Sequence, residues 1–270
     1  RTLRIHIPGI QRKMKEKLTI IKVGGKIVED ETSLTALLRD FKAVEGNKIL
    51  VHGGGRTATD IAARLGIETR MVEGRRITDE NMLKVVTMVY AGLVNKNIVA
   101  KLNAMGVCAL GITGADCNVM LSHRRAAGKV DYGFVGDVDK VDAERLSGLV
   151  NAGVTPVLAP LTHDGNGTLL NTNADTIAGE TAKAMAALYD VTLVYCFEKK
   201  GVLRNADDDD SVIPVIRRDD FKALVEENIV NGGMIPKIEN ALAATDCGVS
   251  RVVITSAQAL DIEKGTQILP

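Results

Sequence analysis

Between residues 18 and 26 the chain reads Leu-Thr-Ile-Ile-Lys-Val-Gly-Gly-Lys, an apolar, β-branched run that predicts a strand buried on both faces. Downstream, Leu34, Leu37, Leu38, Phe41 and Val44 recur at helical spacing. Asp30 or Thr32 stands where that helix would be capped, and Gly46-Asn47 where it would end. A second apolar strand, 48–51, runs into His52-Gly53-Gly54-Gly55-Arg56, and a helix over 57–65 is stopped by Gly66. Thr78 is a good N-cap for a long helix reaching about residue 104, ended by Gly106. Its apolar positions, among them Met82, Val85, Val86, Val89 and Leu93, exceed what a solvated helix needs, so it is central or an oligomer contact. The remaining pattern predicts strands at 107–112, 154–159, 191–196 and 251–255, and helices at 143–152, 174–188, 219–228 and 236–245. Short strands and hairpins are expected over 116–138. Strands alternating with helices imply an α/β fold with a mainly parallel sheet covered on both faces. No internal repeat interrupts this rhythm.

Composition narrows the function classes. Thirty-four basic residues balance 34 acidic ones, so no polybasic field points to nucleic acid or to anionic lipid. Aromatic residues make up 3% and Trp is absent, which disfavours base-stacking platforms. No run approaches the roughly 20 apolar residues of a membrane span, and no signal-peptide core is visible. A soluble, cytoplasmic protein is expected. Cys108, Cys117, Cys196 and Cys247 lack paired spacing, which predicts free thiols; His6, His52, His123 and His163 form no metal-ligand cluster. The acidic run at Asp207, Asp208, Asp209 and Asp210 reads as a solvated loop. Met14 is the expected native start, with residues 1–13 a vector remnant or a short extension.

The candidate chemistry lies at two glycine-rich strand ends. A P-loop, a dinucleotide-binding GxGxxG after the first strand, GxSxG and the protein-kinase set are all missing. Burying the Lys22 ammonium is unfavourable unless an anion meets it, and Gly24 and Gly25 let a ligand approach the backbone. The pair therefore reads either as a phosphate site or as an edge-strand lysine snorkelling to solvent. Gly53, Gly54 and Gly55 lead into a helix N-terminus, which favours anions. Pro236 fits the first turn of its helix and puts Lys237 near that N-terminus, where a cation opposes the macrodipole unless an anion joins it.

Six segments occur together in one order: Ile21-Lys22-Val23-Gly24-Gly25, Val51-His52-Gly53-Gly54-Gly55, Gly74-Arg75-Arg76-Ile77-Thr78, Gly133-Phe134-Val135-Gly136-Asp137-Val138, Asn171-Thr172-Asn173-Ala174-Asp175 and Gly233-Met234-Ile235-Pro236-Lys237. From residue 17 to 268 the chain resembles the amino acid kinase family, and within it the N-acetylglutamate kinases. The resemblance implies a three-layer αβα sandwich, with an acylglutamate site and dimer contact in a lobe of about 14–185 and an ATP site in a lobe of about 186–270. It implies phosphorylation of the γ-carboxylate of an N-acylated glutamate, most simply N-acetyl-L-glutamate, in arginine biosynthesis. Lys22 and Lys237 would stabilise the transferring phosphoryl group, and Asp175 would orient both by accepting their hydrogen bonds. Gly24, Gly25 and Gly55 would contact phosphate, and Gly53 and Gly54 the reacting carboxylate. Arg76 and Asn171 would hold the α-carboxylate. Glu198, Gly201, Val202, Leu203, Ile229 and Asn231 would surround the nucleotide, with Mg2+ carried by ATP and no metal held by the protein. A carboxylate acceptor is already ionised at neutral pH, so no general base is needed.

Two segments depart from the family wording. Tyr195-Cys196-Phe197-Glu198-Lys199-Lys200 replaces a Ser/Thr-rich turn, so Phe197 would reshape the nucleotide pocket. Tyr90-Ala91-Gly92-Leu93-Val94-Asn95-Lys96 could lie near the acyl group, which leaves N-succinyl-L-glutamate as an alternative substrate. A catalytically silent binder of amino acid or nucleotide is a further alternative. The stretch Ser256-Ala257-Gln258-Ala259-Leu260 lacks the pattern of arginine-inhibited hexamers, so an arginine-insensitive homodimer is expected.

Overall fold

The computed structural model describes residues 15–270 apart from 206, 232–233, 258–259 and 261–262, so the expectations for residues 1–13 and for the turn at Gly232-Gly233 lie outside the described residues. Strand β1 (Lys17–Val23) buries every residue after its first, as a central parallel strand must. A short helix α1 (Gly25–Glu29) and helix α2 (Glu31–Ala43) follow. Asp30 caps α2 by accepting a 2.7 Å hydrogen bond from the Ser33 amide, and Leu34, Leu37, Leu38 and Phe41 bury the expected stripe. Strand β2 (Asn47–His52) and helix α3 (Gly55–Arg64) complete the first unit.

A ribbon of β3 (Met71–Val72) and β4 (Arg75–Arg76) leads into the long helix. That helix is continuous but not uniform: α4 (Glu80–Val86) passes into a π-helical stretch, Thr87–Val94, and then α5 (Asn95–Ala104). Its N-cap is Asp79, which accepts from the Met82 amide at 2.8 Å, and not Thr78 as the sequence pattern suggested. The Thr78 hydroxyl is instead committed to the Arg76 carbonyl at 3.0 Å, leaving the cap to the adjacent carboxylate.

The chain continues through β5 (Ala109–Ile112), β6 (Met120–Arg124), β7 (Gly136–Val141), α6 (Ala143–Asn151) and β8 (Thr155–Leu158). Next come β9 (Leu161–His163), β10 (Leu169–Asn171), α7 (Ala174–Met185) and β11 (Asp190–Phe197). The last elements are β12 (Val215–Arg217), α8 (Arg218–Glu226), α9 (Met234–Asp246), β13 (Arg251–Ser256) and β14 (Thr266–Leu269). The main sheet has the order β12-β14-β13-β11-β1-β2-β8-β5, and only the β13–β14 pair is antiparallel. It runs unbroken past residue 185, so the two expected lobes share one sheet. A second sheet has the order β10-β9-β6-β7.

Neighbouring residues of the central strands enter opposite cores. Ile20, Val51, Leu193 and Ile254 pack with Ile177, Ala182 and Met185 of α7, whereas Ile21, Leu50, Val194 and Val253 pack with α2 and the long helix. That makes a three-layer αβα sandwich. Phe41 is fully buried in the second core. Phe41→Ala is therefore expected to lower unfolding free energy by about 3–5 kcal/mol, read as a drop in the urea midpoint.

Candidate active site

At β1 the sheet's order reverses: the chain places β2 on one side and returns much later with β11 on the other. A crevice opens at the carboxyl ends of parallel strands at such a switch point. Gly24-Gly25 follows β1 and Gly53-Gly54-Gly55 follows β2, and the Gly53 amide donates to the Val23 carbonyl at 3.1 Å, tying the turns together. Gly54 lies beneath the Tyr90 ring; a Cβ on it would stand 3.0 Å from Tyr90 Cδ1.

Lys22 settles the question its sequence context raised. Alternation along β1 puts it on the face of Ile20, the face that α7 covers. It is 8% exposed, and its Nζ lies 2.8 Å from Asp175 Oδ1 in the first turn of α7. It is thus a buried, paired cation in a central strand. Asn173 caps α7 by accepting from the Asp175 and Thr176 amides at 2.8 and 3.2 Å, which fixes the turn that carries Asp175.

Lys237, in the first turn of α9, reaches the same place from the other side. Its Nζ sits 3.8 Å from the Phe197 ring centroid, and Lys22 Nζ sits 5.6 Å from the same ring. Phe197 ends β11 and stacks on Tyr195 with centroids 6.3 Å apart. Of the two lysines expected on Asp175, then, Lys22 forms the ion pair and Lys237 uses the aromatic face. Burial pushes the Lys237 pKa down and nearby Lys22 adds to that, against the pull of Asp175. Asp175 pairs with one of the two ammonium groups, and an anion would complete the cluster.

Beside it lies a cleft of about 180 Å³ lined by Gly53, Gly54, Gly55, Arg76, Tyr90 and Asn171. Arg76 is buried, and its Nη2 donates to the Gly55 carbonyl at 2.7 Å and to Thr59 Oγ1 at 2.9 Å. Asn171 Nδ2 donates to Thr78 Oγ1 at 2.9 Å, and Thr78 in turn holds the Arg76 carbonyl. Arg76 and Asn171, expected together, are joined through Thr78. An adjoining cavity of about 440 Å³ is lined by Gly24, Gly25, Gly55, Arg76, Phe197 and Glu198. The two spaces share Gly55 and Arg76, so a molecule in one abuts a molecule in the other.

The expected nucleotide residues divide. Glu198 lines the larger cavity and forms an ion pair with Lys26. Gly201 and Val202 are buried, Val202 at 3% exposure with its amide donating to Thr266 Oγ1 at 2.8 Å, so the Val202 side chain serves the core and presents no contact surface. Leu203 is half-buried and bridges to Val212. Ile229 packs against the core, and exposed Asn231 accepts from the Met234 amide at 3.1 Å at the start of α9. Among the described residues no three His, Cys, Asp or Glu side chains gather as metal ligands.

Two site residues carried no assigned role in the sequence reading. Tyr90 stood only within a flagged segment, because the π-helical stretch that aims it has no residue pattern of its own. Burial pushes its phenol pKa up, with Arg76 opposing. His52 is fully buried at the end of β2, and burial pushes its pKa down to about 4. Cys196, behind Lys22, is a buried thiol pushed up to about 12 by desolvation.

The profile of the amino acid kinase family matches residues 17–256. The chain is 68% identical over 255 residues to the acetylglutamate kinase of Phocaeicola vulgatus, covering 94% of this chain and 99% of that one. It is 65% identical over 259 residues to the acetylglutamate kinase of Bacteroides fragilis, covering 96% and 99%. Among solved structures it resembles smu.665 from Streptococcus mutans UA159, with 26% identity, a TM-score of 0.77 and coverage of 93% and 98%.

The depressed His52 pKa has a sign that can be tested. The unfolded chain binds this proton below about pH 6.5 while the folded protein refuses it until about pH 4. The stability His52 confers is therefore present above about 6.5 and is lost as pH falls through that window, by about 3 kcal/mol in all. Urea unfolding at stepped pH should show that part of the slope vanish in His52→Gln.

Proposed function

The chain belongs to the amino acid kinase family, and we propose that it transfers the γ-phosphoryl group of ATP to the γ-carboxylate of N-acetyl-L-glutamate, a step of arginine biosynthesis. The observation that carries this reading is the convergence of Lys22 and Lys237, beside Asp175, on Phe197, which lines the larger cavity. A carboxylate oxygen attacks the γ-phosphorus, the bond to the β,γ-bridging oxygen breaks, and ADP leaves with its electron pair. The products are an acyl phosphate and ADP. No proton moves, which accords with a site lacking a titrating histidine at its centre. What the site supplies is charge and alignment.

Lys22, held by Asp175, meets the transferring group from the β1 side and Lys237 from the α9 side. Gly53 and Gly54 present amides to the attacking carboxylate; Gly24, Gly25 and Gly55 do so to the phosphates. Arg76 and Asn171 anchor the α-carboxylate in the smaller cleft. The adenosine lies over the second half of the chain, along Glu198, Leu203, Ile229 and Asn231, with Gly201 and Val202 shaping the floor. A divalent cation would come with the nucleotide, the triphosphate its principal ligand, since no three carboxylate, His or Cys side chains gather among the described residues; when bound, it would neutralise developing phosphate charge. We place the enzyme in the cytoplasm, as a homodimer joined along the long helix, where Met88 and Leu93 are 54% and 56% exposed.

Hydroxylamine trapping with MgATP should give hydroxamate from N-acetyl-L-glutamate and none from free glutamate; a higher rate with N-succinyl-L-glutamate would reassign the acyl group. Lys22→Ala should lower kcat about 10²–10³-fold, as loss of one preorganised cation does. Retained turnover in that variant would remove Lys22 from its role. Met88→Glu with Leu93→Glu should convert a dimer to monomers by sedimentation velocity.

A further inference from the structure

His52 lines neither cavity, yet it is fully buried at the end of a strand, directly after apolar Ile49, Leu50 and Val51. Its surroundings determine its hydrogen atoms. Asn95 at the start of α5 faces three groups: His52 Nε2 at 3.1 Å and the Val157 carbonyl at 3.0 Å on its Nδ2, and Lys96 Nζ at 3.1 Å on its Oδ1. A carbonyl can only accept and an ammonium can only donate, so the orientation of the Asn95 amide is fixed by chemistry. Its NH2 group then points at His52 Nε2, which must accept. The proton of the neutral ring sits on Nδ1, and Nδ1 donates to the Gly53 carbonyl at 2.7 Å.

Both polar groups of Gly53 are thereby engaged, its amide by Val23 and its carbonyl by His52. The peptide that joins Gly53 to Gly54 is trans and planar, so its N–H points opposite to its C=O. Holding the carbonyl against buried His52 aims the Gly54 N–H away from the core, towards the cleft that Gly53, Gly54 and Gly55 line. The other end of the relay is anchored as well: Lys96 Nζ donates to the Gly111 carbonyl at 2.7 Å. Gly111 has no side chain where one would matter, for a Cβ there would overlap Asn95 Oδ1.

We propose that His52 is a positioning residue for phosphoryl transfer: the Lys96–Asn95–His52 relay locks the Gly53–Gly54 peptide so that the Gly54 amide is preorganised for the reacting oxygen. This rests on the kinase reading above. The relay begins where the π-helical stretch ends, so the same irregular turn sets Tyr90 over Gly54 and Asn95 on His52. The amide then gains nothing from substrate binding alone and acts in the transition state, where oxygen charge changes.

The test compares His52→Gln, whose amide replaces Nε2 and abandons Gly53, with His52→Asn, whose amide replaces Nδ1 and keeps it. His52→Gln should lower kcat about 10²-fold with KM for either substrate within about threefold, and His52→Asn should recover at least about tenfold of that loss. Equal loss in the two variants, or kcat within about twofold of wild type in His52→Gln, overturns the proposal. Should His52→Gln not fold, Lys96→Met decides: exposed Lys96 can be replaced without opening the core, and kcat should fall about fivefold at unchanged melting temperature. An unchanged kcat there overturns the proposal. The 15N shifts of the His52 ring give a readout free of turnover: its proton should sit on Nδ1. A proton on Nδ1 in a protein that makes no acyl phosphate would sink the substrate reading and keep the relay; a proton on Nε2 would sink the relay alone.

Discussion

A positive charge in the middle of the central sheet is the constraint that the rest of the site answers. Lys22 occupies a position where its neighbours Ile21 and Val23 are fully buried, and an ammonium there needs a fixed partner. Asp175 supplies it from the first turn of α7, where its carboxylate also complements the helix dipole. The pairing explains why α7 packs with its N-terminus at the carboxyl end of β1, and why Asn173 caps it so firmly. It also explains why one carboxylate does not finish the arrangement. Lys237 brings a second ammonium to within 3.8 Å of the Phe197 ring centroid, and the ring face is a weak substitute for an anion.

Rigidity around that charge comes from hydrogen-bond accounting more than from packing alone. Arg76 spends Nη2 on Gly55 and Thr59, and Thr78 holds the Arg76 carbonyl while receiving Asn171. The residues that face the cleft are therefore held by one another and by Thr78, which lines neither cavity. A site that stabilises charge without moving protons gains most from donors already in place, since each donor that must reorient during reaction returns part of its benefit.

Much of this was legible in the residue pattern, for physical reasons. Continuous apolar runs marked β1 and β2 as strands buried on both faces, and the Leu34–Leu37–Leu38–Phe41 stripe with Asp30 marked α2. The glycines after both strands marked the ligand end of the sheet, and Lys22 stood out because its class is wrong for its surroundings. What escaped depended on tertiary contact. Thr78 and Asp79 are both good caps, and only the pull of Arg76 and Asn171 on the Thr78 hydroxyl decides between them. β12 and β14 are three and four residues long, too short for a period to show. A π-helical stretch shifts register without a residue signature, so Tyr90 could not be placed over Gly54 from the sequence. Val202 reads as a pocket residue beside Gly201, yet Thr266 takes its amide and the core takes its side chain.

Phe197 shows how a departure from the family's wording can leave the chemistry intact. Where a short polar side chain would offer an oxygen, this chain offers a ring face that both lysines can approach, backed by Tyr195. The ring attracts the cations but carries no net charge, so it does not neutralise them, and burial still pushes the Lys237 pKa down. The cluster therefore keeps an excess of positive potential in a partly desolvated place. A phosphoryl group in flight between two oxygens carries the charge that this excess suits, and binding it opposes the downward push on Lys237. Ligand affinity and transition-state stabilisation thus draw on one electrostatic deficit, built by a strand, two helix N-termini and an aromatic ring.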